Sequence, residues 1–289
     1  MTIRISSNQV LDAGIDSMNN SLIDATAWQK RITSGKNYTK ASDNIYAVSR
    51  GVELDFDISR LKMFKNNQDM VTSLHDNAQT QMESILNQLS TLKQLFVQSQ
   101  NTALSPANYN ALRIQAEATR DTIKSQMAAR DASGHAIFPT EVNQVQIEPN
   151  VMVNSSIQFN MAFGVGGSAS EPESSGLYGS LDSFVSYLDA RAQGADAISA
   201  EAASISANLN DSFDQLMAAQ QTSGAISSQL DHSKSAMTTL GTELAAASSA
   251  VLDTDMAEAT AAYTRAQTLL NAAQAMFARL QQSNLFSKL

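Results

Sequence analysis

Residues 253–289 read DTDMAEATAAYTRAQTLLNAAQAMFARLQQSNLFSKL. The apolar residues Met256, Ala259, Tyr263, Ala266, Leu270, Ala273, Phe277 and Leu280 follow one another in alternating steps of three and four, the heptad spacing of a helix that packs along another helix. Asp253 or Asp255 supplies an N-cap, and Glu258 stands three residues after Asp255, in the spacing of a capping box. A helix cannot bury its own stripe, so the fold turns on which other segment covers it.

A matching pattern lies at the opposite end of the chain. Leu11, Ile15, Met18, Leu22, Ala25, Trp28 and Ile32 give a second heptad-like stripe, and Gly35 is the expected stop after it. Trp28, the single tryptophan, reads as a packing or subunit contact. Before this helix, residues 1–10 read as a polar, extended arm with Ile3 and Ile5. The two terminal helices are expected to pair.

Between them the chain goes out along helices and returns along helices. Ser42 and Asp43 are expected to cap a helix from about residue 45 to about 102, which lacks proline and has no glycine after Gly51. Its stripe is clearest at Val71, Leu74, Ala78, Met82, Ile85, Leu89, Leu92 and Phe96, and its length is roughly 85 Å at 1.5 Å per residue. Ser105 and Pro106 begin a third helix that runs to about residue 130, and the short turn makes the two antiparallel neighbours. The apolar period then becomes two, through Val142, Val145, Ile147, Val151, Val153, Ile157, Phe159 and Phe163, with Pro139, Pro149 and the glycines of 164–167 as breaks. That predicts a small β module of a few strands. The acidic, Ser/Gly-rich residues 166–176 read as a surface loop or linker. Helical spacing returns at Leu181, Phe184, Val185 and Leu188 and is interrupted at Gly194. A second long helical region follows over 195–252, with Ile205, Leu209, Leu216, Ile226, Leu230, Met237, Leu240, Leu244 and Val251 as its stripe. Gly224 and Gly241 within it are weak points or sites of tight packing.

The expected fold class is mainly α: a long antiparallel helical rod or coiled-coil bundle built from both chain ends, carrying a small β-rich inserted domain. The expected divisions are a terminal assembly domain of 1–42 with 253–289, a long-helix domain of 43–132 with 177–252, and a β insertion of 133–176.

The net charge of −9 sits almost wholly in the second part, since the first 132 residues are close to neutral. That distribution argues against nucleic acid as a partner. With no cysteine, disulfides, thiol catalysis and cysteine-ligated metal are excluded. No stretch approaches the ~18 apolar residues of a membrane span, which argues against membrane insertion. The first twenty residues lack a secretory leader, so any export is expected to proceed without a cleaved signal peptide.

No constellation for catalysis emerges, and no enzyme activity or cofactor is expected. His75, His135 and His232 are scattered without metal-ligand spacing. His75 and His232, off the apolar stripes, are expected at the solvated surface, and His135 reads as a turn residue. The glycines of 164–167 lack the Lys-Ser/Thr that holds phosphates. Helix capping accounts for Asp253, Asp255 and Glu258 without a metal.

The runs Ile3-Arg4-Ile5-Ser6, Arg31-Ile32-Thr33-Ser34-Gly35-Lys36 and Ala41-Ser42-Asp43 resemble the N-terminal pattern of the bacterial flagellin superfamily. Asp253-Thr254-Asp255-Met256-Ala257-Glu258-Ala259, Thr264-Arg265-Ala266-Gln267 and Asn284-Leu285-Phe286-Ser287-Lys288-Leu289 are similar to its C-terminal end. The turn Gly134-His135-Ala136-Ile137-Phe138, the modest length and the single small β module resemble the branch that forms the hook–filament junction, the hook-associated proteins. Two features complicate this. Asn44-Ile45 stands where the family commonly has Asp-Pro, and Thr264-Arg265-Ala266-Gln267 is shared with filament flagellins, which remain the alternative. The resemblance implies a structural, non-enzymatic subunit of the extracellular flagellum, exported by the flagellar type III apparatus with a chaperone. It implies a homo-oligomeric ring whose partners are the preceding hook-associated protein and flagellin. It also implies that the paired terminal helices line the inner tube, the long helices form the next shell and the β module faces outward. The subunit contacts expected on this basis are Leu11, Ile15, Met18, Leu22, Trp28, Ile32, Met256, Tyr263, Leu270, Phe277, Leu280, Leu285 and Phe286.

Overall fold

The computed structural model of the chain describes residues 7–38, 40–196 and 199–286. The arm carrying Ile3 and Ile5 and the side chains of Leu11, Leu280, Leu285 and Phe286 lie outside the described set. Seven helices and one two-stranded antiparallel sheet occur among the described residues, so the fold is mainly α with a small β insert. The chain packs as two units, one from the two chain ends, up to Arg60 and from Leu240 on, and one from Leu61 to Thr239.

The first unit contains α1 (Ser7–Ser34), the start of α2 (Ile45–Ser99), the end of α6 (Ser199–Leu252) and α7 (Met256–Phe286). Gly35 closes α1 as the sequence predicts, with φ +68° and its N–H on the Arg31 carbonyl at 2.8 Å; only a residue tolerant of positive φ ends a helix this way. The next backbone is stitched to the start of α7. Asn37 N–H donates to the Leu252 carbonyl at 2.7 Å, and Thr254 N–H donates to the Gly35 carbonyl at 2.9 Å. Asp255 is the N-cap of α7, its carboxylate accepting from the N–H groups of Ala257 (2.8 Å) and Glu258 (3.1 Å).

The cap of α2 differs from the expectation of Ser42 and Asp43. Asn44 Oδ1 accepts the Ala47 N–H at 3.1 Å, while the Asp43 carboxylate accepts from Lys40 N–H at 3.0 Å. The helix begins at Ile45, one residue later than Asp43 as N-cap would set it and two later than Ser42 would. Asparagine thus does the capping at the position where the flagellin pattern has aspartate. Farther along α2, a Cβ on Gly51 would come within 2.7 Å of Leu252 Cδ1, so the missing side chain is what lets Leu252 of α6 seat against this helix.

The second unit holds the rest of α2 and α6 with α3 (Pro106–Met127), β1 (Gln144–Glu148), β2 (Val151–Asn154), α4 (Phe159–Phe163) and α5 (Gly176–Ala192). Ser105 caps α3, accepting from Asn108 N–H, with Pro106 in the first turn. The predicted α2 stripe is buried from Val71 to Phe96 except at the half-buried Leu74. Met82, Ile85, Leu89 and Leu92 meet Ile123 and Met127 of α3, Leu181 and Phe184 of α5 and Leu209 and Leu216 of α6 in one core. The α6 stripe is buried at Ile205, Leu209, Leu216 and Leu230.

The β module is smaller than its period-two pattern suggests. β1 and β2 form one hairpin, Val145 facing Val153, with Pro149 and Asn150 (φ 65°) at the turn. Residues 159–163, expected as strand, form α4 instead. Phe159 and Phe163 are four apart and so fit a helical face as well as a strand pattern, and short apolar runs do not discriminate between the two. Phe163 stacks edge-on against both Phe138 (4.8 Å) and Phe159 (4.9 Å). Residues 166–176 are no linker: Ala169, Pro172 and Ser175 are buried. A Cβ on Gly167 would lie 2.8 Å from the backbone nitrogen of Ser175. The glycine cluster therefore serves close backbone approach, while Gly224 and Gly241 face open space and mark no tight contact.

Candidate assembly surface of the paired terminal helices

α1 and α7 pack along each other in antiparallel order. The Gly14 position lies against the Phe277 ring, with 3.7 Å from a built Cβ to Cδ2, and Trp28 shares a groove with Ala262, Arg265, Ala266 and Leu269. The expected partner of the C-terminal helix is thus the one observed. What closes the interface is small. Ala25 on α1 and Ala259 and Ala266 on α7 are the buried side chains among those described in these two helices, and alanine at these positions lets the backbones approach closely.

The larger stripe residues are only partly covered. Met18, Trp28 and Ile32 on α1 and Tyr263, Leu270, Ala273 and Phe277 on α7 are half-buried. The Arg31 guanidinium sits 4.5 Å from the Trp28 ring centroid, a cation–π contact that also places a cation at the C-terminal end of α1, where the helix dipole favours it. Ile15, Leu22 and Met256, also named as contacts, are exposed. Leu11, Leu280, Leu285 and Phe286 have side chains outside the described residues. Three further exposed apolar residues, Ile23, Leu269 and Met276, escaped the heptad reading. Each stands next to a stripe position, and its signal is an apolar residue doubled beside the stripe. The apolar surface of the pair is thus wider than two helices can cover between them.

Elsewhere the histidines correct one expectation. His75 is fully buried, with Nδ1 2.8 Å from Ser223 Oγ and Nε2 3.1 Å from the Asn154 carbonyl. It lies on the α2 face that meets the hairpin and α6, four residues after Val71 and three before Ala78, so the heptad spacing itself places it on the buried stripe and only its polar side chain argued for the surface. His135 and His232 are exposed. Among the described residues no group of three or more His, Asp or Glu side chains could hold a metal ion, and no helix is long and apolar enough to cross a membrane.

Comparison with known proteins places this architecture. Residues 5–138 match the bacterial flagellin N-terminal helical region, and residues 207–289 match the bacterial flagellin C-terminal helical region. No curated protein matches the chain in sequence. Among solved structures it is similar to a protein of Vibrio parahaemolyticus provisionally assigned as a flagellar hook-associated protein, with TM-score 0.64 and 15% identity over 72% of this chain and 99% of that one. It is also similar to FlgL of Xanthomonas campestris in two crystal forms. The first gives TM-score 0.53 and 14% identity over 68% of this chain, the second 0.52 and 14% over 66%, each covering 99% of FlgL. At such identities the likeness is one of fold, and it is the two flagellin regions, matched in order at the two ends of the chain and meeting in the α1–α7 pair, that make this chain a member of the bacterial flagellin superfamily, a structural component of the flagellum.

Proposed function

We propose that the chain is the adaptor of the hook–filament junction, a ring subunit that seats on the preceding hook-associated protein and receives flagellin above it. The observation that carries the reading is the surplus apolar surface of the α1–α7 pair, which two helices alone leave in water at Ile15, Leu22, Leu269 and Met276. The likeness in fold to hook-associated proteins along nearly their whole length supports the junction over the filament. The named residues of α1 and α7, from Leu11 to Ile32 and from Met256 to Phe286, act as subunit contacts. A pair sealed by three alanines offsets little of the entropy of ordering two long helices, and neighbouring copies supply the remaining burial. The protein reaches its place outside the cell through the flagellar type III apparatus, with an export chaperone.

Deleting the gene in its host tests this. Hooks that shed flagellin into the medium support the junction role. Intact hooks in cells that make no filament protein at all identify the chain as the filament flagellin instead, as does growth of long filaments from the purified protein alone.

A further inference from the structure

The hairpin β1–β2 is held to α2 and α6 by polar contacts as well as by its apolar face. Val71, Leu230, Ile147 and Val153 form a small buried cluster of their own. Alongside it, three α2 side chains reach hairpin carbonyls. Asn67 Nδ2 donates to Gln146 at 2.8 Å and Gln68 Nε2 to Ile147 at 2.9 Å; His75 closes the series at Asn154, the last residue of β2, at 3.1 Å.

The protonation pattern of His75 follows from its partners. A carbonyl can only accept, so Nε2 carries the hydrogen and donates to Asn154. Nδ1 is then bare and accepts the Ser223 hydroxyl hydrogen. Ser223 is fully buried, and its oxygen already accepts from Gln79 Nε2 at 3.2 Å. Both ring nitrogens are in use, and the Ser223 O–H to Nδ1 bond in this direction requires the neutral ring. The charge that bears on His75 is the neighbouring Asp76 on its own helix. Against the ring, α6 presents the Ser223 hydroxyl and β2 a backbone carbonyl. The Asp69–Lys234 ion pair stands a turn or more away along α2, where its two members answer each other at 3.0 Å.

We infer that His75 is a proton-operated latch: neutral, it ties the hairpin to α2 and α6; protonated, it releases the hairpin from them. A proton taken from solvent at Nδ1 turns that atom into a donor. Ser223 must then swing its hydrogen away, while the Nε2–H bond to Asn154 persists; what opposes the closed state is the buried charge. Among the described residues the new cation's hydrogen-bond partners are the Ser223 hydroxyl and the Asn154 carbonyl rather than a carboxylate; it lies one turn from Val71 of the buried cluster, and moving the hairpin off returns the ring to water. Burial holds the His75 pKa below the ordinary 6.5, partly opposed by the Asn154 bond and by Asp76, so the latch stays closed at neutral pH and opens in acid.

Hydrogen exchange read by mass spectrometry on the full chain tests this, comparing peptides over residues 141–155 at pH 7.5 and 5.0 after correction for intrinsic rates. Protection of the hairpin should fall at least tenfold at pH 5.0 in the natural protein, while peptides of α3 keep theirs. In His75→Gln, whose amide can donate to Asn154 but cannot titrate, hairpin protection should be the same at both pH values. Equal protection of the natural hairpin at the two pH values overturns the latch, and so does the same acid loss in His75→Gln. Should the variant be unprotected at both, the ring titration of the natural protein decides. Hairpin amide signals moving in step with a His75 midpoint below 6.5 support the latch; an ordinary midpoint with stationary hairpin signals overturns it.

Discussion

Replacing both Leu269 and Met276 by glutamine removes apolar surface that the folded chain leaves in water. The two residues are 55% and 65% exposed, so about half to two-thirds of each side chain remains to be buried by a neighbour. Full burial of a Leu or Met side chain contributes about 1.5–3 kcal/mol, which leaves roughly 1–2 kcal/mol per residue and roughly 2–4 kcal/mol for the pair. At ~1.4 kcal/mol per factor of ten, subunit affinity should fall by about 30- to 1000-fold. Stability of the isolated chain should stay within about 0.5 kcal/mol, since these are surface positions and glutamine is nearly as good a helix former as leucine or methionine. The assay has two arms: urea unfolding of purified protein, and the amount of variant recovered in flagella from a deletion strain complemented with it. Leu270→Asp with Phe277→Asp is a less discriminating perturbation, because both side chains are half-buried in the pair and charge there also weakens α1 against α7. Normal incorporation of Leu269→Gln/Met276→Gln, with unchanged stability, would refute the claim that this face binds a neighbour.

Gly224→Ala and Gly241→Ala should each raise stability by up to about 1 kcal/mol, since both are helical with nothing near the new methyl. Gly167→Ala should lower it by about 1–3 kcal/mol through contact with the Ser175 backbone; urea midpoints separate the two signs. Phe163→Ala empties a fully buried site with two ring partners and should cost about 3–5 kcal/mol, a loss calorimetry would register. The depressed His75 pKa, caused first by burial, also fixes a pH dependence. The unfolded chain takes up this proton as pH falls below about 6.5 and the folded chain only at lower pH, so His75 lowers stability as pH drops through the folded value. A unfolding free energy with no such acid decline, measured against His75→Gln, would contradict the burial of the ring.

Long helices with regular stripes were legible in the chain because heptad spacing records a partner's presence. The stripe from Val71 to Phe96 is buried nearly throughout, and the α1–α7 pairing follows from two matching patterns at opposite ends. Gly35, Ser105 and Asp255 act at helix ends as their residue types suggest. These are local rules, satisfied within a few residues of backbone, and a sequence states them directly.

Other features depended on segments far apart in sequence. His75 falls on the stripe by spacing, four residues after Val71 and three before Ala78, but its polar partners Asn154 and Ser223 lie 79 and 148 residues away, and the spacing of one helix does not name them. The helical state of residues 159–163 rests on Phe138 and Phe163 packing from different segments, where local spacing fits both states. At the C-terminal helix the sequence by itself determined a stripe and the need for a partner, because periodicity is a property of one helix. Only the tertiary structure decided how far that partner covers it. Close approach at Ala25, Ala259 and Ala266 seals the pair but leaves Leu269 and Met276 more than half exposed, because two cylinders in contact can hide from water only the narrow strip between them.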